Sequence, residues 1–263
     1  MNDRLWTYYF TRGRYGSVDT SSISNADYID LGQYSQVDID IDLFNLRRDI
    51  KRAMRAHRNI VLGLNTDPEL NYAKKVLVRA SKPFQNVPEI LPWPRVQLID
   101  LGDEPKYGIL DQAKVADEVK HLMDVLNLPP APVGAVFGYK DPVVPVSKSF
   151  DWVGLEAYLE PPGSQYTDIY QAVYAQLERQ DYRIKSNHKV IVVIQAYDRN
   201  GEWHAMKNLR QLQRDAVTAS IKLFGNHLLG FFLFSYLRPG GSKMYPGVLA
   251  VQNWLYADDA HNA

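Results

Sequence analysis

The sequence contains no cysteine in 263 residues. That excludes disulfides, thiolate metal sites and a cysteine nucleophile, and it leaves the compartment open. It also lacks net charge, with 30 Lys+Arg against 30 Asp+Glu. A nucleic-acid partner would call for a basic excess, so none is expected. No run reaches the roughly 18 apolar residues of a membrane helix, so no membrane partner is expected. The N-terminal stretch MNDRLWTYYF has no signal-peptide apolar region. The expectation is a chain that stays inside the cell, or one whose leader has been removed. A phosphate-binding loop, a G-x-S-x-G elbow and an H-E-x-x-H spacing are all missing. A Ser-His-Asp hydrolase therefore has no support, and neither a metal nor another cofactor is expected.

What is present is a chain long enough to bury roughly 75% of its unfolded surface. No low-complexity tract or linker divides it, so a single domain over 1–263 is expected. Eight apolar runs read as strands: Leu5–Phe10, Tyr28–Tyr34, Ile60–Leu64, Val96–Leu101, Gly134–Tyr139, Trp152–Tyr158, Val190–Ala196 and Gly230–Tyr236. Most are nearly continuous rather than alternating, as strands covered on both faces of a parallel sheet are. Helical patterns lie between them. Asp42 suits the N-cap of Leu43–His57, and Leu70–Arg79 is a second helix. In Gln112–Leu126 the stripe is Val115, Val119, Leu122 and Leu126. Thr167 is placed to cap a helix carrying Ile169, Val173 and Leu177. Leu209–Phe224 carries Leu212, Ala216, Ala219 and Leu223, with Gly225 as its stop. A last helix covers about Val248–Tyr256.

Eight strands alternating with helices over this length give an α/β fold of the (β/α)₈ TIM barrel kind. The links after the first and fifth strands are short, so one or two helices are expected to shrink to loops. An open doubly wound sheet is the competing fold, but RGRYGS after the first strand is not its phosphate turn.

A barrel of this kind carries its active site at the C-terminal strand ends. There the sequence reads Gln33-Tyr34, Asn65-Thr66-Asp67, Asp103-Glu104-Pro105, Tyr139-Lys140-Asp141, Glu156-Ala157-Tyr158, Gln195-Ala196-Tyr197-Asp198 and Ser235-Tyr236-Leu237-Arg238. Carboxylates, amides and tyrosines collect; thiols and histidine clusters do not. The adjacent carboxylates Asp103 and Glu104 close the fourth strand. A carboxyl group desolvated at a strand mouth suits a general acid, although such a pair also serves as an N-cap or an ion pair. A lyase or aldolase would want a lysine at a strand end, and Lys140 is the obvious one.

Gly102-Asp103-Glu104-Pro105 resembles the Asn-Glu-Pro motif that ends strand four in (β/α)₈ glycoside hydrolases, where the Glu is the acid/base. Asp151 to Tyr158 resembles the sixth-strand D-x-x-G-x-x-x-Y pattern of the same superfamily. The resemblance implies a glycosidic-bond hydrolase acting on an oligo- or polysaccharide, with Glu104 as general acid/base. Two positions depart from it. Asp103 replaces the usual Asn. Gln195 ends strand seven, where retaining members place a nucleophilic Glu, and an amide cannot form a glycosyl ester. Three routes remain. Glu156, or else Asp103 or Asp198, serves as the second carboxylate. Alternatively, Asp103-Glu104 resembles the pair of hexosaminidase-like families, in which the substrate's acetamido group is the nucleophile. Or the barrel binds glycan without cleaving it.

Aromatics at the mouths suit sugar rings, whose C–H faces stack on flat side chains. Tyr34, Tyr107, Tyr139, Tyr158, Tyr197, Trp203 and Tyr236 are the candidates, with Asn65, Gln195 and Arg238 to bind hydroxyls. Two other signals have plainer readings. Asp38, Asp40 and Asp42 alternate in VDIDID but lack the other ligands of a calcium loop. Arg47, Arg48, Lys51, Arg52, Arg55 and Arg58 lie opposite Leu46, Ile50 and Met54, as a solvated helix face would.

Overall fold

A nearly continuous apolar run stays dry only when both faces of its strand are covered, and here both are. The computed structural model describes residues 4–9, 26–30, 50–51, 53–55, 57–64, 93–103, 109–140, 142–159, 167–195 and 206–234. Eight strands appear: β1 Leu5–Tyr9, β2 Ala26–Asp30, β3 Asn59–Gly63, β4 Val96–Asp103, β5 Val133–Phe137, β6 Trp152–Ala157, β7 Lys189–Gln195 and β8 Leu228–Phe234. Three long helices are described: α1 Ile109–Val125, α2 Ile169–Asp181 and α3 Met206–Phe224.

All the ladders are parallel, in the order β1-β8-β7-β6-β5-β4-β3-β2. The two ends of that order, β1 and β2, also lie side by side. This is the (β/α)₈ TIM-barrel fold. The described residues between β5 and β6 form turns and no helix, so this connection is reduced to a loop.

Alternation along each strand sorts the side chains into two layers. Outward residues such as Ile99, Val133, Leu155, Val192 and Phe231 meet Val119, Val173, Leu177, Leu212 and Ala216 of the helices. Inward residues fill the barrel: Leu5, Ala26, Tyr28, Val61, Leu98, Val136, Trp152, Ile191, Val193 and Phe232. Trp152 fits because Gly134 faces it. A Cβ on Gly134 would stand 2.3 Å from the Trp152 carbonyl oxygen. The indole N–H donates to the carbonyl of Ile99 at 3.2 Å.

Several local expectations are corrected. The cap of α2 is Asp168, one residue after Thr167. Its backbone is extended, and Oδ1 accepts from the Gln171 N–H at 3.0 Å. A carboxylate is at least as good a cap as a hydroxyl, and it adds charge at the positive helix end. The buried row of α1 is Ala116, Val119 and Met123, with Val115 and Leu122 beside it and Leu126 beyond the helix. In α3 the buried row is Leu212, Ala216, Val217 and Ala219, with Leu223 only partly covered. Gly225 does end that helix, at φ +47. Residues 50–51 and 53–55 are helical. Lys51 and Arg55 are exposed as expected, but Met54 is exposed too, and Arg58 is buried under the end of the helix. The stretches 65–92 and 235–263, which contain two expected helices, lie outside the described residues.

Candidate active site at the strand mouths

Among the described residues, three polar side chains are buried on inward-facing register positions of the barrel: Asp100 on β4, Glu156 on β6 and Gln195 on β7. Each follows inward apolar residues two positions back along its strand, so ordinary strand alternation aims it into the barrel.

Asp100 lies deepest. Its Oδ2 accepts from the Tyr28 hydroxyl at 2.6 Å, and its Oδ1 accepts from the Gly102 N–H at 3.1 Å. Gly102 has φ 134, a conformation that favours glycine. Here β4 carries an extra residue relative to β5: Asp100 is opposite Gly134, and Asp103 is opposite Val136. The bulge therefore returns Asp103 to the inward register position that Asp100 occupies.

Glu156 is one inward step nearer the C-terminal mouth than that level, since Val136 is opposite Gly154. Its Oε2 accepts from the backbone N–H of Tyr139 at 3.0 Å. Gln195 is one step further again on the neighbouring strand, because Glu156 is opposite Val193. The outer helices hold the backbone of both residues. Gln180 Nε2 donates to the Glu156 carbonyl at 2.8 Å, and Gln213 Nε2 donates to the Gln195 carbonyl at 2.8 Å. Gln176 on α2 donates similarly to the carbonyl of Tyr158.

Tyr158 follows β6 and Tyr139 follows β5, and their rings meet edge to face at 6.0 Å. Lys140 Nζ stands 5.5 Å from the centre of the Tyr139 ring. The mouth between β5 and β7 thus combines an anchored carboxylate, a carboxamide and two half-buried tyrosines. That set can accept and donate hydrogen bonds to hydroxyls and cover an apolar ring face.

Of the expected site residues, the structure brings Glu156, Gln195 and Tyr158 to one mouth, with Asp103 at an inward register position on β4. Glu104, Asn65, Tyr197, Trp203, Tyr236 and Arg238 lie outside the described residues, as do Tyr34, Tyr107 and Asp198. Among the described residues no three His, Asp or Glu side chains are grouped to hold a metal. None of their helices is long and apolar enough to cross a membrane. Sequence reasoning missed Asp100, although a carboxylate inside the apolar run VQLID was the signal for it. It also missed the amide of Tyr139 and the helix glutamines.

A cavity of about 1120 Å³ opens at the other end of the barrel, lined in part by Asn59, Gln97, Asp151 and Lys189 near the strand starts and by Lys120 of α1. Lys120 is engaged there, donating to Asp151 at 2.9 Å and to the Ser149 carbonyl at 2.7 Å.

The fold and the inward polar mouth define a (β/α)₈ barrel of the architecture seen in glycosidase structures. A GH5_18 structure from Bifidobacterium longum subsp. longum superposes with a TM-score of 0.59 at 11% identity, over 89% of this chain and 69% of that one. A β-glucuronidase from Ruminococcus gnavus in complex with D-glucaro-d-lactam gives 0.55 at 9% identity, over 89% of this chain but only 44% of the other. This chain thus spans less than half of that enzyme. An active-site mutant of the Rhizomucor miehei β-1,3-glucanosyltransferase in complex with laminaritriose gives 0.52 at 14% identity, over 85% of both chains. No family model and no curated protein matches the sequence. At these identities the likeness is one of fold.

Proposed function

We propose that the chain folds as one barrel domain, binds a carbohydrate across the C-terminal mouth and hydrolyses a glycosidic bond. The observation that carries this reading is Glu156, a carboxylate buried inside the barrel beside Gln195, in a fold shared with several glycosidases. Glu104 is assigned as general acid/base. The second carboxylate is Glu156, with Asp103 as the alternative. Asn65, Tyr158, Gln195, Tyr197, Trp203, Tyr236 and Arg238 are assigned to the sugar subsites.

In this scheme Glu104 protonates the leaving oxygen as the bond breaks. Glu156 either attacks the anomeric carbon or activates a water on the opposite face. Carboxyl groups about 5–5.5 Å apart fit the first course, and about 6.5–9.5 Å the second. The test is a panel of oligosaccharides assayed for new reducing ends. Glu104→Gln and Glu156→Gln should each lose at least about 10²-fold in turnover. Unchanged turnover in either variant removes that residue from the mechanism.

The carboxamide of Gln195 favours a second reading, a barrel that binds glycan without cleaving it, because an amide supplies no nucleophile at that mouth. Thermal stabilisation by a sugar with no release of reducing ends would support it over hydrolysis.

A further inference from the structure

One peptide group at the exit of β5 is gripped on both sides by buried charge. The carbonyl of Gly138 and the N–H of Tyr139 belong to the same planar unit. The N–H donates to Glu156 Oε2 at 3.0 Å. The carbonyl accepts from both terminal nitrogens of Arg183, each at 3.1 Å. Arg183 is 1% exposed and Glu156 2%, so neither charge is screened by bulk water. Burying one such charge without an opposite charge nearby is strongly unfavourable.

The geometry points to a relay in which the Arg183 guanidinium acts on the Glu156 carboxylate through the 138–139 peptide, which makes Arg183 a positioning residue for the site. The amide dipole lies the favourable way round, with its negative end on the guanidinium and its positive end on the carboxylate. Each charge-assisted bond polarises the amide and strengthens the other.

The surroundings hold both ends of the relay in place. Arg183 stacks over the Phe137 ring at 5.7 Å, and its own carbonyl accepts from the Val146 N–H at 2.9 Å. Arg179 Nη2 donates to the Tyr139 carbonyl at 2.7 Å, fixing the next peptide. Gln180 joins the two charged residues by a second path: its Oε1 accepts from Arg183 at 3.5 Å, and its Nε2 donates to the Glu156 carbonyl. The end of α2 thus sets both the backbone and the carboxylate of Glu156. The relay is a property of the structure; its role in turnover rests on the glycosidase reading.

Gly138–Tyr139 is the one Gly-Tyr step in the sequence. Protein labelled with carbonyl-¹³C glycine and ¹⁵N tyrosine therefore gives one carbonyl-linked amide resonance. Glu156→Gln should move the Tyr139 amide proton upfield and, across the peptide, the Gly138 carbonyl too. Arg183→Lys should move both in the same sense. Should the arginine variant not fold, Glu156→Gln still tests the relay, because it keeps the guanidinium and the shape of the side chain. A Gly138 carbonyl unmoved by Glu156→Gln, or a Tyr139 proton unmoved in folded Arg183→Lys, overturns the relay. On any oligosaccharide the wild type cleaves, Arg183→Lys should lower kcat by about 10-fold with KM nearly unchanged. A rise in KM alone overturns the positioning role. Coupled shifts in a protein that cleaves nothing uphold the relay and remove the glycosidase reading.

Discussion

Tyr28 and Asp100 are 72 residues apart in sequence and joined by a 2.6 Å hydrogen bond inside the barrel, phenol to carboxylate. The bond links β2 to β4 across the inner face of β3. Gly63 makes it possible, since a Cβ there would stand 2.4 Å from the Tyr28 hydroxyl. Tyr28→Phe deprives a buried carboxylate of one donor and should cost about 1–3 kcal/mol, read from urea unfolding. Gly63→Ala should destabilise the wild type more than the Tyr28→Phe variant, because the two positions share one space. Equal losses in both backgrounds would sever that link.

Two glycines separate crowding from backbone strain. Gly134→Ala puts a methyl against the Trp152 backbone, which cannot swing aside. Its cost belongs at or beyond the upper end of the usual 1–3 kcal/mol or so for overpacking. At Gly225 a methyl meets nothing within 4 Å, but φ is +47. Gly225→Ala should therefore cost only about 1–2 kcal/mol, all of it conformational. A Gly134→Ala protein as stable as the wild type would contradict this packing.

Stability should depend on pH through His188. Burial pushes its imidazole below the usual 6.5; the bond to the Ser147 carbonyl opposes this, Lys185 adds to it and Asp151 opposes it. Nδ1 accepts from the Lys185 N–H at 3.1 Å, and Nε2 lies 3.0 Å from the Ser147 carbonyl. The neutral ring satisfies both, whereas a protonated ring sets two N–H groups against each other. The unfolded chain takes up this proton near 6.5 and the folded chain only at lower pH. The contribution is thus complete above about 6.5 and is lost progressively below it. Urea midpoints of the wild type should fall across that interval, and those of His188→Gln should fall less steeply. Parallel curves would remove His188 as the source.

Asp215 should work in the opposite sense. Burial raises its carboxyl above the usual 3.8; the bond from Gln211 opposes the shift, Asp168 adds repulsion and Arg214 opposes it. An ionised Asp215 therefore costs stability at neutral pH. Asp215→Asn can keep the 2.8 Å bond from Gln211 Nε2 and should raise the urea midpoint at neutral pH. The gain should shrink as the pH falls toward 3.8 and the wild-type carboxyl is protonated. A variant less stable than the wild type at neutral pH would refute this.

The barrel was legible in the sequence because its signal is repeated and local. Runs such as VIVVI and GFFLF are apolar throughout, and only a sheet covered on both faces explains so many of them. The placement of Glu156 and Gln195 followed from the same runs, as the last inward positions of their strands. The clamps were not legible. Arg183 sits in the polar stretch DYRIK, and the carbonyl it binds is 45 residues away. No local pattern marks such a partner. Gln180 and Gln213 are likewise polar residues outside the apolar stripes of their helices, yet both are fully buried. The cap at Asp168 was missed by one position because Thr167 and Asp168 are both good caps, and backbone geometry chose between them.

The ladder of β1 runs to β8, with Leu5 opposite Gly230. Among the described strands, β1 is made first and is zipped to the last, and its edge waits unpaired on that side until β8 has been made. Closure is then a late, long-range event rather than a local one. A nascent chain stalled before β8 should present that edge to chaperones, and one released after it should not.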